Sequence, residues 1–320
     1  MLKTLKFLLV IVAAALASPA IAQSPQQWPS RMIRWIVPYP PGGPADVIAR
    51  IVGEKLSARL GQTVLIDNKP GASGDIGANE VIRSPADGYT LLYVNPFIIT
   101  NPLTMKASKV LSDQLKPVVL MTTVPMVLIR NPKFEANSFA EVLAAIKNNP
   151  GKITCGSSGA MPMVACYLLK SEANADIISV VYRGQSQVMT AVMSGEISLA
   201  FDMSNTVTPF LDDKKVFPIA TTAAKREPAR DTVPAVSESV KGFELIVWQG
   251  AMVPKDTPDD IVSRINQEIN AVLAMPDVRQ RVLGMGLTIA GGKPGDFAAL
   301  IGRDKVRFQE MFKKANIEPQ

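Results

Sequence analysis

Histidine is absent from the 320-residue chain, and only two cysteines are present. Histidine is the commonest general base and metal ligand, so its absence disfavours a hydrolytic triad and a histidine metal centre. The chain also lacks a Gly-x-Ser-x-Gly elbow, a Ser-x-x-Lys pair and a P-loop. We therefore expect a protein that is not an enzyme and that uses neither a cofactor nor a metal.

A concentrated basic surface is also missing from the sequence. The formal net charge is +6, and charges of both signs are scattered along the chain without a basic stripe of interleaved aromatics. This pattern argues against nucleic acid as a partner. A mild positive excess is compatible with an anionic small ligand.

The two cysteines, Cys155 and Cys166, allow two interpretations. A disulfide would form readily in an oxidising compartment. However, Cys155 is expected at a strand end and Cys166 in the middle of a helix, which does not ensure the required approach of their Cβ atoms. Two buried free thiols are the favoured interpretation, and the disulfide is the alternative.

The N-terminus has the pattern of a secretory signal. Lys3 and Lys6 precede an apolar core over 7–16, which is too short to span a bilayer. Ala20-Ile21-Ala22 provides an Ala-x-Ala cleavage site. The pattern predicts a signal peptide over 1–22 and a periplasmic protein, with an uncleaved membrane anchor as the less favoured alternative.

Alternating strand and helix patterns follow. Strands predicted near 31–38, 63–67 and 89–94 flank helices predicted over 44–60 and 76–83. This β-α-β-α-β order predicts a parallel sheet whose ligands bind at the carboxyl ends of the strands. A polar loop is predicted over 95–102, and strands at 118–121 and 124–130 are predicted to be interrupted by Thr122, Thr123 and Pro125. The remaining predicted helices are 138–148, 162–170, 185–193, 258–274 and 296–315. The remaining predicted strands are 153–156, 177–182, 197–201, 216–221 and 246–253.

Two glycine-rich turns lie between the first predicted strands and helices. They are Tyr39-Pro40-Pro41-Gly42-Gly43-Pro44-Ala45-Asp46 and Gly71-Ala72-Ser73-Gly74-Asp75-Ile76-Gly77. Each turn opens a helix, where unpaired N–H groups and the helix dipole favour an anion. A carboxylate is the simplest ligand for two such turns. Alternatively, the glycines serve only to allow positive φ in tight turns.

Several motifs in order together resemble one protein family. They are Pro41-Gly42-Gly43-x-x-Asp46, Asn68-Lys69-Pro70-Gly71-Ala72-x-Gly74-Asp75-Ile76-Gly77, Ala86-Asp87-Gly88-Tyr89-Thr90-Leu91, Tyr182-Arg183-Gly184 and Phe201-Asp202. The chain resembles the Bug-type periplasmic solute-binding receptors of tripartite tricarboxylate transporters over its whole mature length.

The resemblance implies a two-domain α/β periplasmic-binding-protein (Venus flytrap) fold, in which each domain is a sheet flanked by helices. One discontinuous domain would comprise 29–123 and 242–320, and the other 124–241. A carboxylate would bind in the cleft, and hinge closure would present the loaded receptor, expected to be a monomer, to the membrane permease. A ligand-sensing adaptor for a membrane receptor would use the same fold and stays open as an alternative.

The resemblance also implies which residues hold the ligand. On the first domain they are Tyr39, Gly42, Gly43, Asp46, Ser73, Gly74, Asp75 and Gly77. On the second domain the residues themselves suggest a site for another carboxylate, because hydroxyls and N–H groups precede two predicted helices. These candidates are Ser157 and Ser158 within Gly156-Ser157-Ser158-Gly159, then Tyr182, Arg183 and Gly184, and Asp202 after a buried strand. Asp46 and Asp75 are expected to cap helices or hold water, since direct contact with a carboxylate would be repulsive. For Arg183 and Asp202, a solvent-facing or structural role competes with ligand binding.

The chain departs from the family pattern after the strand that carries Cys155. Family members commonly have a longer glycine/serine loop with a histidine at the helix start, whereas this chain has Met163 near that position. Together with Met161 and Phe97, Met163 would make the cleft less polar. These side chains favour an aromatic or apolar-bodied mono- or dicarboxylate, such as a phthalate-type diacid. Small aliphatic di- and tricarboxylates are the alternative ligands, and ordinary core packing is the competing role for the three side chains.

Overall fold

The computed structural model describes residues 28–174, 176–182, 184–227, 230–241 and 243–314. The expected signal peptide over 1–22 lies outside the described residues, as does Arg183. Described residues from Arg31 onward belong to one compact unit, which the following paragraphs concern. No helix within the described ranges combines the length and apolar character needed to cross a bilayer.

The strands of the described residues form one ten-stranded sheet. In chain order they are β1 (Ile33–Val37), β2 (Val64–Asn68), β3 (Thr90–Val94), β4 (Leu115–Arg130), β5 (Thr154–Ser157), β6 (Ile178–Val181), β7 (Leu199–Met203), β8 (Phe217–Thr221), β9 (Ile246–Pro254) and β10 (Thr288–Ile289).

Helices flank this sheet. The α-helices of the described residues are α1 (Pro44–Leu60), α2 (Asp75–Ile82), α3 (Phe97–Thr104), α4 (Phe139–Asn148), α5 (Ala160–Ala173), α6 (Gln185–Ser194), α7 (Ser204–Asp212), α8 (Asp259–Leu273), α9 (Pro276–Gly284) and α10 (Pro294–Lys314). Three of these, α3, α7 and α9, were not predicted from the sequence.

The strand order is β2-β1-β3-β9-β4-β7-β5-β6, and β8 and β10 pair with β4 outside this path. β1 pairs in parallel with both β2 and β3, which confirms the parallel arrangement predicted from the β-α-β-α-β order. β5 likewise pairs in parallel with β6 and β7. Parallel strands therefore lie at both ends of the sheet, and their carboxyl ends carry the turns that the sequence singled out.

Strand β4 connects the two ends of the sheet. Its residues up to Pro125 pair with β9, and those from Met126 to Arg130 pair with β7 and β8. The predicted interruption around Thr122 and Pro125 is wrong, because β4 continues through both. Threonine suits a strand because it is β-branched, and the Thr122 hydroxyl donates to Gln249 Oε1 on β9 at 3.1 Å.

The expected polar loop over 95–102 is instead mostly helix α3. Asn95 Oδ1 accepts from Phe97 N–H at 3.0 Å, so a side chain just before the helix satisfies one of its first donors. Pro102 lies within the helix. The apolar residues Phe97, Ile98 and Ile99 are buried, and their burial stabilises a segment that local propensity alone did not predict.

Cys155 and Cys166 form a disulfide, with a Cα–Cα distance of 5.9 Å. The favoured interpretation of two free thiols is therefore wrong. Gly159 adopts a φ of +80°, which reverses the chain between β5 and α5, and α5 then packs back over the strand that carries Cys155. The Cα–Cα distance lies within the usual range for a disulfide.

Candidate ligand-binding site

A cavity of about 570 Å³ lies at the carboxyl ends of the parallel strands. Its lining residues are Tyr39, Ser73, Asn95, Phe97, Thr100, Asn101, Thr104 and Met105, here called the α3 wall, and Gly159, Ala160, Met161, Met163, Tyr167 and Val181, here called the α5 wall. None of these described lining residues carries a formal charge. These described residues can stabilise a charged ligand group only through neutral hydrogen-bonding groups and helix ends.

The structure brings Phe97, Met161 and Met163 together, as the ligand hypothesis requires. The Phe97 ring packs edge-on against Tyr39, with ring centroids 6.2 Å apart. Gly74 has a φ of +106°, and a Cβ added there would approach the Phe97 ring to 3.0 Å. The glycine therefore leaves room for the aromatic side chain. Methionines facing an aromatic pair provide an adaptable apolar surface for a flat or aliphatic ligand body.

The Tyr39 hydroxyl is a neutral polar group on the α3 wall. Burial raises the pKa of Tyr39 well above its ordinary value, and a hydrogen bond with Asn95 opposes this shift only in part. The phenol therefore keeps its proton at neutral pH. It can donate a hydrogen bond to a ligand oxygen.

The first turn of α5 borders the cavity. Gly159 precedes this 14-residue helix, and Gly159, Ala160 and Met161 all line the cavity. The first N–H groups of an α-helix have no acceptor within the helix, and they carry the positive end of its dipole. The α5 wall therefore offers a carboxylate backbone donors beside an apolar surface.

Asp75 lies directly behind the α3 wall rather than in the cavity lining. Its Oδ1 accepts from Asn101 Nδ2 at 2.8 Å, and its Oδ2 accepts from the Ser108 hydroxyl at 2.5 Å. Asn101 Nδ2 also donates to the Ser73 carbonyl at 3.2 Å. Asp75 therefore holds residues that line the cavity.

The first glycine turn is stabilised by a hydrogen bond between two of its own residues, Gly42 and Asp46. Asp46 Oδ2 accepts from Gly42 N–H and from Arg50 Nε, each at 2.9 Å. Burial raises the pKa of Asp46, but these hydrogen bonds outweigh it, and the net pKa lies below the ordinary value. The ionised carboxylate is thus stabilised as part of the turn. Gly77 also has a packing role, because a Cβ there would lie 2.9 Å from Pro38 Cβ.

Tyr182 and Asp202 have partners of their own. The Tyr182 hydroxyl donates to Glu196 Oε1 at 3.0 Å. Asp202 Oδ1 accepts from Met203 N–H at 2.7 Å, and burial raises the pKa of Asp202. The cavity lining lacks these described residues and also Gly42, Gly43, Asp46, Gly74, Asp75, Gly77, Ser157, Ser158 and Gly184. Their roles in binding a ligand stay predictions.

Several lining residues were not predicted to bind a ligand: Asn95, Thr100, Asn101, Thr104, Met105, Ala160, Tyr167 and Val181. Thr100 and Thr104 are four residues apart, which places them on one face of a helix. This four-residue spacing would have identified Thr100 and Thr104 as neighbours on one helix face if 97–104 had been predicted as a helix. Tyr167 and Val181 had no comparable signal, because their exposure to the cavity depends on how α5 packs on the sheet.

Comparison with known proteins agrees with this architecture. The family described as the tripartite tricarboxylate transporter family receptor, TctC, has a model that matches residues 48–317. The chain belongs to this family. A TctC relative, the UPF0065 protein in the tcbD-tcbE intergenic region of Pseudomonas sp. (strain P51), is 34% identical over 306 residues, which cover 94% of this chain and 91% of that protein.

Solved structures show the same similarity. R. palustris Rpa4515 with adipate is 28% identical, with a TM-score of 0.77, and the match covers 92% of this chain and 100% of that one. The periplasmic binding protein BugD is 29% identical, with a TM-score of 0.73 and coverage of 92% and 100%. MatC (Rpa3494) from Rhodopseudomonas palustris with bound malate is 25% identical, with a TM-score of 0.72 and coverage of 89% and 100%.

TctC membership confirms the resemblance inferred from the sequence motifs. The fold is the two-domain α/β fold of periplasmic binding proteins, with sheet strands flanked by helices. Proteins of the TctC family are periplasmic solute-binding receptors. The family and the fold are thus those of receptors and not of enzymes.

Proposed function

We propose that the protein is a periplasmic receptor that captures an aromatic or otherwise apolar-bodied mono- or dicarboxylate and delivers it to the permease of a tripartite tricarboxylate transporter. A phthalate-type diacid is one example of such a ligand. The supporting observation is that Phe97, Met161 and Met163 line one cavity together with the N-terminal turn of α5.

Each wall would contribute a different part of the binding energy. A ligand carboxylate at the start of α5 would accept from first-turn N–H groups, where the helix dipole favours negative charge. The ligand body would lie against Phe97, Met161 and Met163. Removing 100 Å² of apolar surface from water contributes roughly 2.5 kcal/mol. A purely polar triacid gains little from that surface.

A second candidate ligand class is the small aliphatic dicarboxylates. It is favoured by the adipate and malate bound in the two solved relatives. Adipate has a flexible apolar chain between its carboxylates, so it also suits a cavity with an apolar centre. Malate is smaller and more polar, and it would leave the methionine surface uncovered.

We also propose the domain division 29–123 plus 242–320 and 124–241, with a hinge where β4 runs between the domains. Support comes from the pairing of β4 with β9 in its first part and with β7 and β8 in its last part. The cavity is lined by segments from both proposed domains. We further propose a monomer that is exported after cleavage of 1–22.

A thermal-shift panel of aromatic and aliphatic mono-, di- and tricarboxylates tests the ligand class. A ligand at 100 times its Kd stabilises the folded state by about 2.7 kcal/mol. We expect the melting temperature to rise with benzoate- and phthalate-type acids and not with citrate. A rise with citrate or malate alone would contradict the apolar-bodied class. An uptake assay with the reconstituted permease then distinguishes the two functions. A transport receptor would support ligand uptake, whereas a sensing adaptor would not.

A further inference from the structure

Three neighbouring side chains of α3 line the cavity: Thr100, Asn101 and Thr104. The Thr100 hydroxyl donates to the Pro96 carbonyl at 3.1 Å. The Thr104 hydroxyl donates to the Thr100 carbonyl at 3.2 Å. Each hydroxyl has one hydrogen, and the helix backbone already accepts it in both residues. While these bonds are kept, each hydroxyl oxygen can act toward a ligand only as an acceptor, and Thr100 itself is 1% exposed.

Asn101 also has only an acceptor left for a ligand, because other groups in the protein accept both of its amide hydrogens. Its Nδ2 donates to Asp75 Oδ1 at 2.8 Å and to the Ser73 carbonyl at 3.2 Å. A carboxylate and a carbonyl only accept hydrogen bonds, so flipping the amide would place its oxygen against two acceptors. The orientation of the amide is thus fixed by its chemical surroundings, and both Nδ2 hydrogens are used. Oδ1 is the polar atom that is left for the cavity.

Asp75 is itself held in place, which makes this orientation robust. The Ser108 hydroxyl donates to Asp75 Oδ2 at 2.5 Å, and Asn101 is only 4% exposed. The three α3 side chains therefore form one acceptor surface, made of two hydroxyl oxygens and one amide oxygen. A carboxylate facing that surface would meet acceptors and would lose its hydrogen bonds to water without replacement.

We propose that the ligand carries a hydrogen-bond donor, a hydroxyl or an N–H group, that contacts the acceptor surface formed by Thr100, Asn101 and Thr104. This inference rests on the proposed function and narrows it. The carboxylate lies at the start of α5, the apolar body lies on Phe97 and the methionines, and the donor lies on α3. A hydroxylated monocarboxylate therefore fits this cavity better than a diacid of the same length.

Two matched series of acids test the proposal by calorimetry on the purified protein. One series is benzoate, 4-hydroxybenzoate and terephthalate, and the other is hexanoate, 6-hydroxyhexanoate and adipate. We expect the hydroxy acid of at least one series to bind about fivefold more tightly than both its parent acid and its diacid, as one net hydrogen bond predicts. A diacid that binds most tightly in both series, or a hydroxyl without effect in both, overturns the proposal.

Variants assign the preference to the acceptor surface. Thr104→Val is nearly isosteric and removes one acceptor oxygen, and Asn101→Leu removes the amide. Each should abolish or reduce the hydroxyl preference, measured as the ratio of the Kd of the parent acid to the Kd of its hydroxy acid in the same variant. Thr190→Val is the matched control, because the Thr190 hydroxyl donates to the Ser186 carbonyl at 2.9 Å in α6, outside this cavity. An unchanged preference in Thr104→Val and Asn101→Leu would overturn the assignment, and Thr104→Val serves alone if Asn101→Leu fails to fold.

Different experimental results would overturn the proposed function and the donor contact with α3. If none of the six acids binds, the proposed function fails, and the inference falls with it. If the parent acids bind and the hydroxyl has no effect, only the inference fails. A water molecule could instead bridge α3 to a second ligand carboxylate. The diacids would then bind most tightly, and Thr104→Val would reduce that preference. This result would also overturn the proposed direct contact between a ligand donor and α3.

Discussion

The α3 wall and the α5 wall face the same cavity, but different bonds hold their side chains. On the α3 wall, Asn101 is held by hydrogen bonds to Asp75 and to the Ser73 carbonyl. On the α5 wall, the helix is tied to β5 by the disulfide between Cys155 and Cys166. A hydrogen-bond network orients individual polar atoms, whereas a covalent link holds a whole segment and leaves its apolar side chains free to adapt.

This difference assigns separate tasks to the two walls. On the α3 wall, Asn101 and Thr104 present acceptor oxygens and Tyr39 presents a donor hydroxyl, which suits recognition of particular ligand groups. The α5 wall presents methionines and backbone N–H groups, which suits a carboxylate and an apolar body of variable shape. Specificity for the ligand's polar substituents should therefore reside on α3, and general affinity for apolar acids on α5. The predictions below test this division, beginning with the largest expected effect.

Replacing both cysteines, in Cys155→Ala with Cys166→Ala, should lower the free energy of unfolding by about 3 kcal/mol, because the unfolded chain gains the freedom that the closed loop had removed. Urea unfolding measures this change. Adding a reductant to the unmodified protein should reproduce the loss, and the double variant should not respond to reductant. Equal stability of the oxidised and reduced protein would contradict a structural role for the disulfide.

Asp75→Ala should cost about 2 kcal/mol of stability, because it leaves the buried Asn101 amide and the Ser108 hydroxyl without their acceptor. The measurement is again urea unfolding. Asp113→Ala is the matched control, since Asp113 pairs with Lys305 at an exposed position, where an ion pair contributes about 1 kcal/mol or less. If the two variants lost the same stability, the α3 wall would not depend on Asp75.

Met163→Ser should weaken binding of an apolar-bodied acid by about fivefold, corresponding to ~1 kcal/mol of lost apolar contact. Stability should change little, because Met163 is only half-buried. Met32→Ser is the control, since Met32 is 45% exposed and lies outside the cavity. Calorimetry with a hit from the carboxylate panel measures both. An unaltered Kd in Met163→Ser would remove the methionine from the ligand surface.

Asp202→Asn should increase stability modestly at neutral pH. Burial raises the pKa of Asp202, so the folded state disfavours the ionised form. As pH rises through the ordinary carboxyl range, the unfolded chain releases this proton more readily than the folded one, and the wild-type protein loses stability relative to the variant. The melting temperatures should converge at low pH and diverge toward neutrality. A constant difference across pH would show that Asp202 does not cause it.

Asp202 provides a comparison for Asp75, because Asp75 lies behind the α3 wall and Asp202 belongs to neither wall. Both carboxylates are buried, but Asp75 accepts from Asn101, which lines the cavity, and from Ser108, whereas Asp202 accepts from Met203 N–H and the Thr206 hydroxyl at the start of α7. We expect only the Asp75 substitution to alter discrimination among ligands. The hydroxy-acid series provides that comparison directly.

Much of the fold was predictable from local sequence patterns. Helix α1 has the predicted bounds, because Pro44 is compatible with a first helical position and Gly61 adopts φ +64° at the end. The interruption predicted in β4 was wrong because Thr122 and Pro125 were judged by local propensity, although both pair with β9 and Thr122 also pairs with β10. Helix α3 was missed for the same reason, since burial of its apolar residues outweighs its poor propensity.

The candidate site was predictable only in part. Met163 was identified because it lies near the family's histidine position, Met161 because it lies in the shortened loop before it, and Phe97 because it is an aromatic residue in an otherwise polar predicted loop. The acceptor role of Asn101 was not predictable, because it depends on Asp75 and Ser73, which lie 26 and 28 residues away in sequence. Likewise, the spacing of Cys155 and Cys166 left open whether they pair.

The sequence by itself determined the family, the parallel β-α-β start and the glycine turns, because these depend on short motifs and on the periodicity of neighbouring residues. Only the tertiary structure decided that the cysteines pair, that 97–104 is helical and that α3 presents acceptors to the cavity. Those features depend on contacts between residues distant along the chain. Local propensity is too weak to specify such contacts, and packing and hydrogen bonding across the fold determine them.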